Sequence, residues 1–158
     1  MSTVEKMEGK INCFLRKWFG VPKCLATNDL YSSSSKLQLP LKSVLEEYKV
    51  GKVRFQLMLR DSKDQAIRDH YPDLRSGKKW TAMEAIDEAE ARLQHKDVVG
   101  AVQQGRTGLG WKSWRPWAKC GVAERRQRVL GEVRAGEEEV RISAAVQQSQ
   151  QGRWTRWD

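Results

Sequence analysis

The chain has 158 residues and carries 29 Lys and Arg against 20 Asp and Glu, which gives a formal net charge of +9. This length suits a single domain, and the positive balance favours a polyanionic partner such as nucleic acid over a protein that is basic without such a partner. The three cysteines form no CxxC pair and only two histidines accompany them, which argues against a disulfide framework and a zinc site.

The first predicted element is an amphipathic helix over residues 3–19, which Gly20 and Pro22 bring to an end. Three basic residues lie away from its apolar stripe and could contact phosphates, or could simply form a solvated polar face: Lys10, Arg16 and Lys17. The apolar stripe consists of Met7, Ile11, Phe14, Leu15 and Trp18. With the extended stretch that follows, this helix makes up a first segment, 1–42.

A second segment, 43–79, opens with Ser43 and Glu46, a capping box that predicts a helix over the next 17 residues. This helix has two apolar stripes on nearly opposite sides, so it needs a partner on each. The first helix is a candidate for one partner and a molecule outside the chain for the other. One stripe is Val44, Tyr48, Phe55, Met58 and Leu59; the other is Val50, Val53 and Leu57.

After a polar connector with at most two helical turns, Lys78 and Lys79 precede Trp80. A basic pair beside an indole could bind a phosphate and stack a base. We favour the alternative, in which Trp80 is the hydrophobic staple of the next helix.

Segment 80–120 begins with the capping box Thr81 and Glu84 and continues as an acidic helix. Its carboxylates face different directions and have no companion histidine, so they indicate solvated charge rather than acid–base or metal chemistry. The apolar stripe breaks phase after Leu93, which predicts a kink or a new element near Asp97.

The glycine-broken loop GRTGLGWKS at 105–113 resembles a phosphate-binding loop, but Trp111 separates its last glycine from Lys112. A Walker loop needs these two residues adjacent, so a nucleotide site is not expected. Three tryptophans then recur every third residue among basic side chains. Two roles stay open for them, stacking on unpaired bases and packing of the loop.

Segment 121–158 predicts a last helix that starts with the basic pair Arg125 and Arg126 and has a narrow valine stripe. A stripe so poor in leucine suits docking better than a free-standing coiled coil. The stripe consists of Val122, Val129, Val133, Val140 and Ala144. The closing sequence RWTRWD offers its tryptophans nothing further to pack on, which we interpret as an interrupted chain.

Short motifs occur in a co-linear order across nearly the whole chain. They are RKWFGVP at 16–22, KLQLP at 36–40 with Ser43, RDSKD at 60–64, GKKWT at 77–81, His95, VG at 99–100, GR at 105–106, GLG at 108–110, ERR at 124–126, EVR at 132–134 and QQGRWTRW at 150–157. In this order they resemble animal non-LTR retrotransposon polyproteins. The resemblance is to the portion after the reverse-transcriptase fingers and palm, namely the end of the thumb and the linker to a Cys/His finger and a restriction-like endonuclease.

The chain also departs from that family. Lys78 stands where the pattern usually has Arg, and the serine run at 32–35 and the cluster Trp111 to Trp117 look peculiar to this copy. The polymerase aspartates, the Cys/His finger and the nuclease carboxylates are missing. The resemblance therefore implies a segment that binds template or target, without catalysis, whose partners include the polymerase and endonuclease domains of the same polyprotein.

From the residues and the resemblance together we expect a mainly α chain, with loosely packed amphipathic helices and irregular Gly/Trp-rich loops rather than a compact independent domain. We expect it to contact RNA or DNA, single-stranded or hybrid. The predicted phosphate contacts are Lys10, Arg16, Lys17, Lys78, Lys79, Arg106, Lys112, Arg115, Arg125 and Arg126, and the predicted stacking residues are Trp111 and Trp114.

No signal-peptide core and no run of ~18 apolar residues occurs in the sequence. We expect an intracellular protein, for which the nucleus is one fitting compartment, with no membrane partner, no cofactor and no small-molecule substrate. Two alternatives remain: a helical module for protein–protein interaction, and a transposon remnant without function.

Overall fold

The computed structural model describes residues 3–23, 27–31, 39–77, 79–103 and 120–147. These residues are mainly helical, as predicted. The elements are α1 (Thr3–Trp18), α2 (Thr27–Tyr31), α3 (Val44–Arg60), α4 (Gln65–His70), β1 (Arg75–Ser76), β2 (Trp80–Thr81), α5 (Ala82–Gln103) and α6 (Val122–Val146). The predicted loose packing and the four sequence segments remain predictions.

The chain divides into two units, which are described separately. Unit 1 comprises Met1–Lys49 and Ala135–Asp158, and unit 2 comprises Val50–Arg134. Unit 1 therefore contains α1, α2, the start of α3 and the end of α6. Unit 2 contains the rest of α3, α4, the hairpin β1–β2, α5 and the start of α6.

The core of unit 1 is small. Leu15 of α1 is buried with Leu30 and Tyr31 of α2, and Leu39 and Leu41 of the extended stretch before α3 pack against them. The alternating leucines of that stretch thus supply core contacts without a strand at residues 39–43. Among the described residues few apolar groups share this core, and tertiary hydrogen bonds join it.

The buried side of α1 differs from the predicted one. Met7, Ile11, Phe14 and Trp18 are exposed, and of the predicted stripe Leu15 alone is buried. Glu8 and Asn12 are buried in their place because each has a tertiary hydrogen-bond partner. Burial of a polar group costs little once such a bond is made, and this bonding outweighs the apolar pattern.

Two hydroxyls provide those partners. Ser43 Oγ donates to Glu8 Oε1 at 2.5 Å and accepts the backbone N–H of Glu46 at 3.2 Å, so it also caps α3 as the capping box predicts. The hydroxyl of Tyr31 donates to Asn12 Oδ1. Burial, and next the charge of Glu8, raise the pKa of Tyr31 to about 12, which keeps the phenol protonated as a donor.

Asp29 is the buried carboxyl of α2, 2% exposed, and its Oδ2 has no hydrogen-bond partner among the described residues. Burial raises its pKa, so the folded state holds the proton more tightly than the unfolded state does, and stability falls as pH rises through the carboxyl range. We expect Asp29→Asn to raise the free energy of unfolding by about 1 kcal/mol at pH 7, measured by urea denaturation. The gain should shrink at pH 4 as Asp29 gains its proton.

The exposed Asp87→Asn is the control for this effect and should stay within about 0.5 kcal/mol of the parent at both pH values. A loss of stability in Asp29→Asn at pH 7 would show that the buried charge is compensated after all.

The core of unit 2 joins three helices. Its buried residues come from α3, α5 and α6: Val50, Val53, Leu57, Ala82, Ile86, Ala89, Val129, Leu130 and Val133. The stripe of α3 formed by Val50, Val53 and Leu57, its inner stripe, is thus confirmed as a packing face, and its partners are α5 and α6. The predicted stripe of α6 is only partly correct, because Val122 and Val140 are exposed.

A hairpin that the sequence did not predict leads into α5. Arg75 pairs with Thr81 and Ser76 with Trp80, and Gly77 takes a φ of 72° in the turn, a conformation that favours glycine. Trp80 packs against the core of unit 2, which agrees with a structural role for its ring. Thr81 Oγ1 accepts the N–H of Glu84 at 3.2 Å, so the second capping box is confirmed as a cap.

α5 itself runs on through Asp97 to Gln103, so the new element predicted there is wrong, and the alternative, a kink, stays a prediction. Each further helical residue adds one backbone hydrogen bond, so a helix continues past a change in its apolar pattern. Val99, which breaks the phase, is exposed.

Candidate functional site

The predicted contacts of unit 1 lie on α1. Lys10 and Lys17 are exposed, and their spacing of seven residues places them on one side of the helix. Arg16 is half-buried, and its Nη2 donates to Thr27 Oγ1 at 2.9 Å across to α2. Lys10 and Lys17 are therefore open to a ligand, whereas Arg16 has a structural contact.

The predicted contacts of unit 2 divide in the same way. Lys79, in the turn before β2, and Arg125, in the first turn of α6, are exposed. Within the described part of the chain neither side chain forms an ion pair. Arg126 is half-buried, and its Nε donates to Asp61 Oδ2 at 2.8 Å. Its charge therefore serves to join α6 to the end of α3.

Half of the predicted site lies in other parts of the chain. Six of its residues lie outside the described part of the chain: Lys78, Arg106, Trp111, Lys112, Trp114 and Arg115. The choice between stacking and packing for the tryptophan cluster stays a prediction.

Other cations of unit 2 have acidic partners. Lys96 Nζ lies 2.6 Å from Glu132 Oε1, Arg128 Nη2 lies 2.7 Å from Glu124 Oε1, and Arg60 Nη2 lies 2.9 Å from Glu90 Oε1. Because such pairs already neutralise one another, they attract a phosphate less than Lys79 and Arg125 do.

Sequence reasoning missed one cation of α1. Lys6 is exposed and, at spacings of four and eleven residues, falls on the same side as Lys10 and Lys17. The spacing was visible in the sequence. What it could not show is that the neighbouring apolar stripe is exposed too.

Unit 1 also contains a polar cavity of about 250 Å³. Its lining is rich in carboxylates, but these are engaged: Glu46 with Arg141 at 2.5 Å, and Glu137 with Lys49 at 2.7 Å. Across the described ranges no group of three or more His, Cys, Asp or Glu could hold a metal ion. The described carboxylates of the cavity therefore form structural ion pairs rather than a catalytic or metal-binding group.

Among the described residues, no helix is both long enough and apolar enough to cross a bilayer. No family model, curated protein or solved structure matches the chain.

Proposed function

We propose that this chain is a non-catalytic segment of a retrotransposon reverse-transcriptase polyprotein that contacts the backbone of RNA or DNA. The motif order from RKWFGVP at 16–22 to QQGRWTRW at 150–157 supports the origin, and the net charge of +9 supports the partner. The observation that carries the proposal is the exposure of Lys79 and Arg125 without an ion pair in the described part of the chain.

Exposed cations of this kind bind phosphates by releasing condensed counterions, so affinity falls with salt. For a labelled single-stranded oligonucleotide, followed by fluorescence anisotropy, we expect more than about a tenfold loss of affinity between 50 and 200 mM salt. The slope of log K against log salt is negative. Lys79→Ala combined with Arg125→Ala should make it less negative by about 1.4, because two phosphate contacts are lost.

The matched control removes two cations of the same unit that already have partners, in Lys96→Ala combined with Arg128→Ala. Its salt slope should stay close to that of the parent. Affinity that ignores salt, or equal slopes for the two double variants, would contradict the proposal.

The alternative, a protein-interaction module, is favoured by the exposed apolar residues Phe55 and Met58 of α3, which form its outer side. Val53 and Leu57, on the other side of the helix, are in the core. A docking partner would therefore meet Phe55 and Met58. Under this alternative, Phe55→Asp combined with Met58→Asp abolishes capture of the partner, and Lys79→Ala with Arg125→Ala leaves it unchanged.

A further inference from the structure

We propose that the exposed side of α1 binds the surface of an anionic lipid bilayer, with the helix lying in the plane of the headgroups. The surface consists of an apolar row, Met7, Ile11, Phe14 and Trp18, and beside it a lysine row, Lys6, Lys10 and Lys17. This inference goes beyond the proposed nucleic-acid function. It shares Lys10 and Lys17 with the predicted phosphate contacts, but the apolar row is not part of that prediction.

The apolar row is a continuous exposed stripe. At 3.6 residues per turn its four side chains fall within about 60° of one another, and the row is about 16 Å long. Met7 is 52% exposed, Phe14 58% and Trp18 75%. The rings of Phe14 and Trp18 lie 6.2 Å apart at 39°, so they form one aromatic end to the row. Folding leaves this apolar surface in water, which is costly unless something covers it.

The lysine row lies directly beside it. Its three members fall within about 40° of one another, on one flank of the apolar row. Glu8 is buried and Glu5 is half-buried, so the exposed charges of α1 are all positive. Lysine stems at such a flank reach headgroup phosphates while the neighbouring apolar side chains enter the acyl boundary.

Charge and shape favour an anionic bilayer on this surface over a second copy of the chain and over a nucleic-acid strand. A second copy of the chain would bring one lysine row against another, and like charges repel across an interface. A nucleic-acid strand would use the rings of Phe14 and Trp18 for stacking, but Met7 and Ile11 have no flat face for a base. A basic amphipathic helix with Trp and Phe on its apolar side is typical of membrane surfaces.

The expectation of no membrane partner rested on the missing transmembrane run. A helix that lies on a bilayer needs no such run, because only one of its sides enters the lipid. The opposite side of α1 remains packed in unit 1 through Leu15, Asn12 and Glu8.

The test is co-sedimentation of the full chain with vesicles of phosphatidylcholine, alone or with about one third phosphatidylserine. We expect binding to the mixed vesicles and much weaker binding to phosphatidylcholine alone. Lys10→Ala combined with Lys17→Ala should lower partition into the mixed vesicles about thirtyfold. The control Lys42→Ala with Lys63→Ala, which removes two exposed lysines elsewhere, should lower it far less.

The apolar row is tested by Phe14→Ala combined with Trp18→Ala, which should weaken vesicle binding at least about tenfold. Val140→Ala, at an apolar site of α6 that is 66% exposed, is its control and should leave vesicle binding unchanged. If the double variant loses helical circular dichroism, Trp18→Ala alone repeats the measurement.

The outcomes also separate the two proposals. Loss of vesicle binding with unchanged oligonucleotide affinity in the Phe14/Trp18 variant supports the lipid surface. This conclusion does not depend on the result of the Lys79/Arg125 salt-slope experiment. Three results would overturn it: no sedimentation of the parent chain with mixed vesicles, loss of oligonucleotide affinity in place of vesicle affinity, or conversion of a dimer to a monomer by the same substitutions.

Discussion

Replacing Leu57 with alanine is expected to lower the free energy of unfolding by about 2–5 kcal/mol. Leu57 is 0% exposed in the core of unit 2, between the inner side of α3 and the helices α5 and α6. The substitution removes its transfer free energy and leaves a cavity that three packed helices cannot fully close. Urea denaturation followed by circular dichroism measures the loss.

Met58→Ala is the matched control, because Met58 is the next residue of the same helix and is 51% exposed. Its effect should stay within about 0.5 kcal/mol. Equal losses in the two variants would mean that both sides of α3 are buried in solution. They would thereby show that the outer side already has a partner, such as a second copy of the chain.

Replacing Arg141 with methionine is expected to lower the free energy of unfolding by about 3 kcal/mol. Its guanidinium lies 2.5 Å from carboxylate oxygens of both Glu46 and Glu138 in unit 1. The side chain of Glu46 is only 10% exposed, so removal of the arginine leaves a buried carboxylate without its counter-charge. An unpaired buried charge costs far more than the pair itself contributes.

Arg128→Met provides the contrast, since Arg128 and Glu124 form an exposed pair on α6, at side-chain exposures of 42% and 52%. We expect that variant to change stability by less than about 0.5 kcal/mol. Glu46→Gln added to Arg141→Met should recover part of the loss by removing the orphaned charge. An Arg141→Met variant as stable as the parent would show that water reaches Glu46.

Local patterns predicted those parts of the fold that depend on neighbouring residues. Ser43 and Thr81 cap their helices because a hydroxyl reaches an N–H three residues on. The inner stripe of α3 is buried because its valines and leucine recur at helical spacing beside other apolar helices. In both cases the information lies within one or two turns of the chain.

The parts of the fold that the sequence did not predict depend on contacts between residues far apart in the chain. Glu8 and Asn12 occupy the buried side of α1 because Ser43, 35 residues on, and Tyr31, 19 residues on, bond to them. The spacing of apolar residues gives no information on such long-range hydrogen bonds. For that reason the pattern predicted the wrong side of α1 as the buried one. For the candidate site, exposure could be predicted for Lys10 and Lys17, but not the tertiary contacts that hold Arg16 and Arg126.

The hydroxyl of Ser43 connects two helices through a single rotor, since it donates to α1 and accepts from the first turn of α3. The χ1 torsion of Ser43 places the oxygen for both bonds, so a change of that side-chain rotamer breaks the two together. The amide protons of that turn and those around Glu8 should then exchange with deuterium as one opening unit. A native-state exchange experiment would see in Ser43→Ala a joint acceleration at two sites that lie 35 residues apart in the chain.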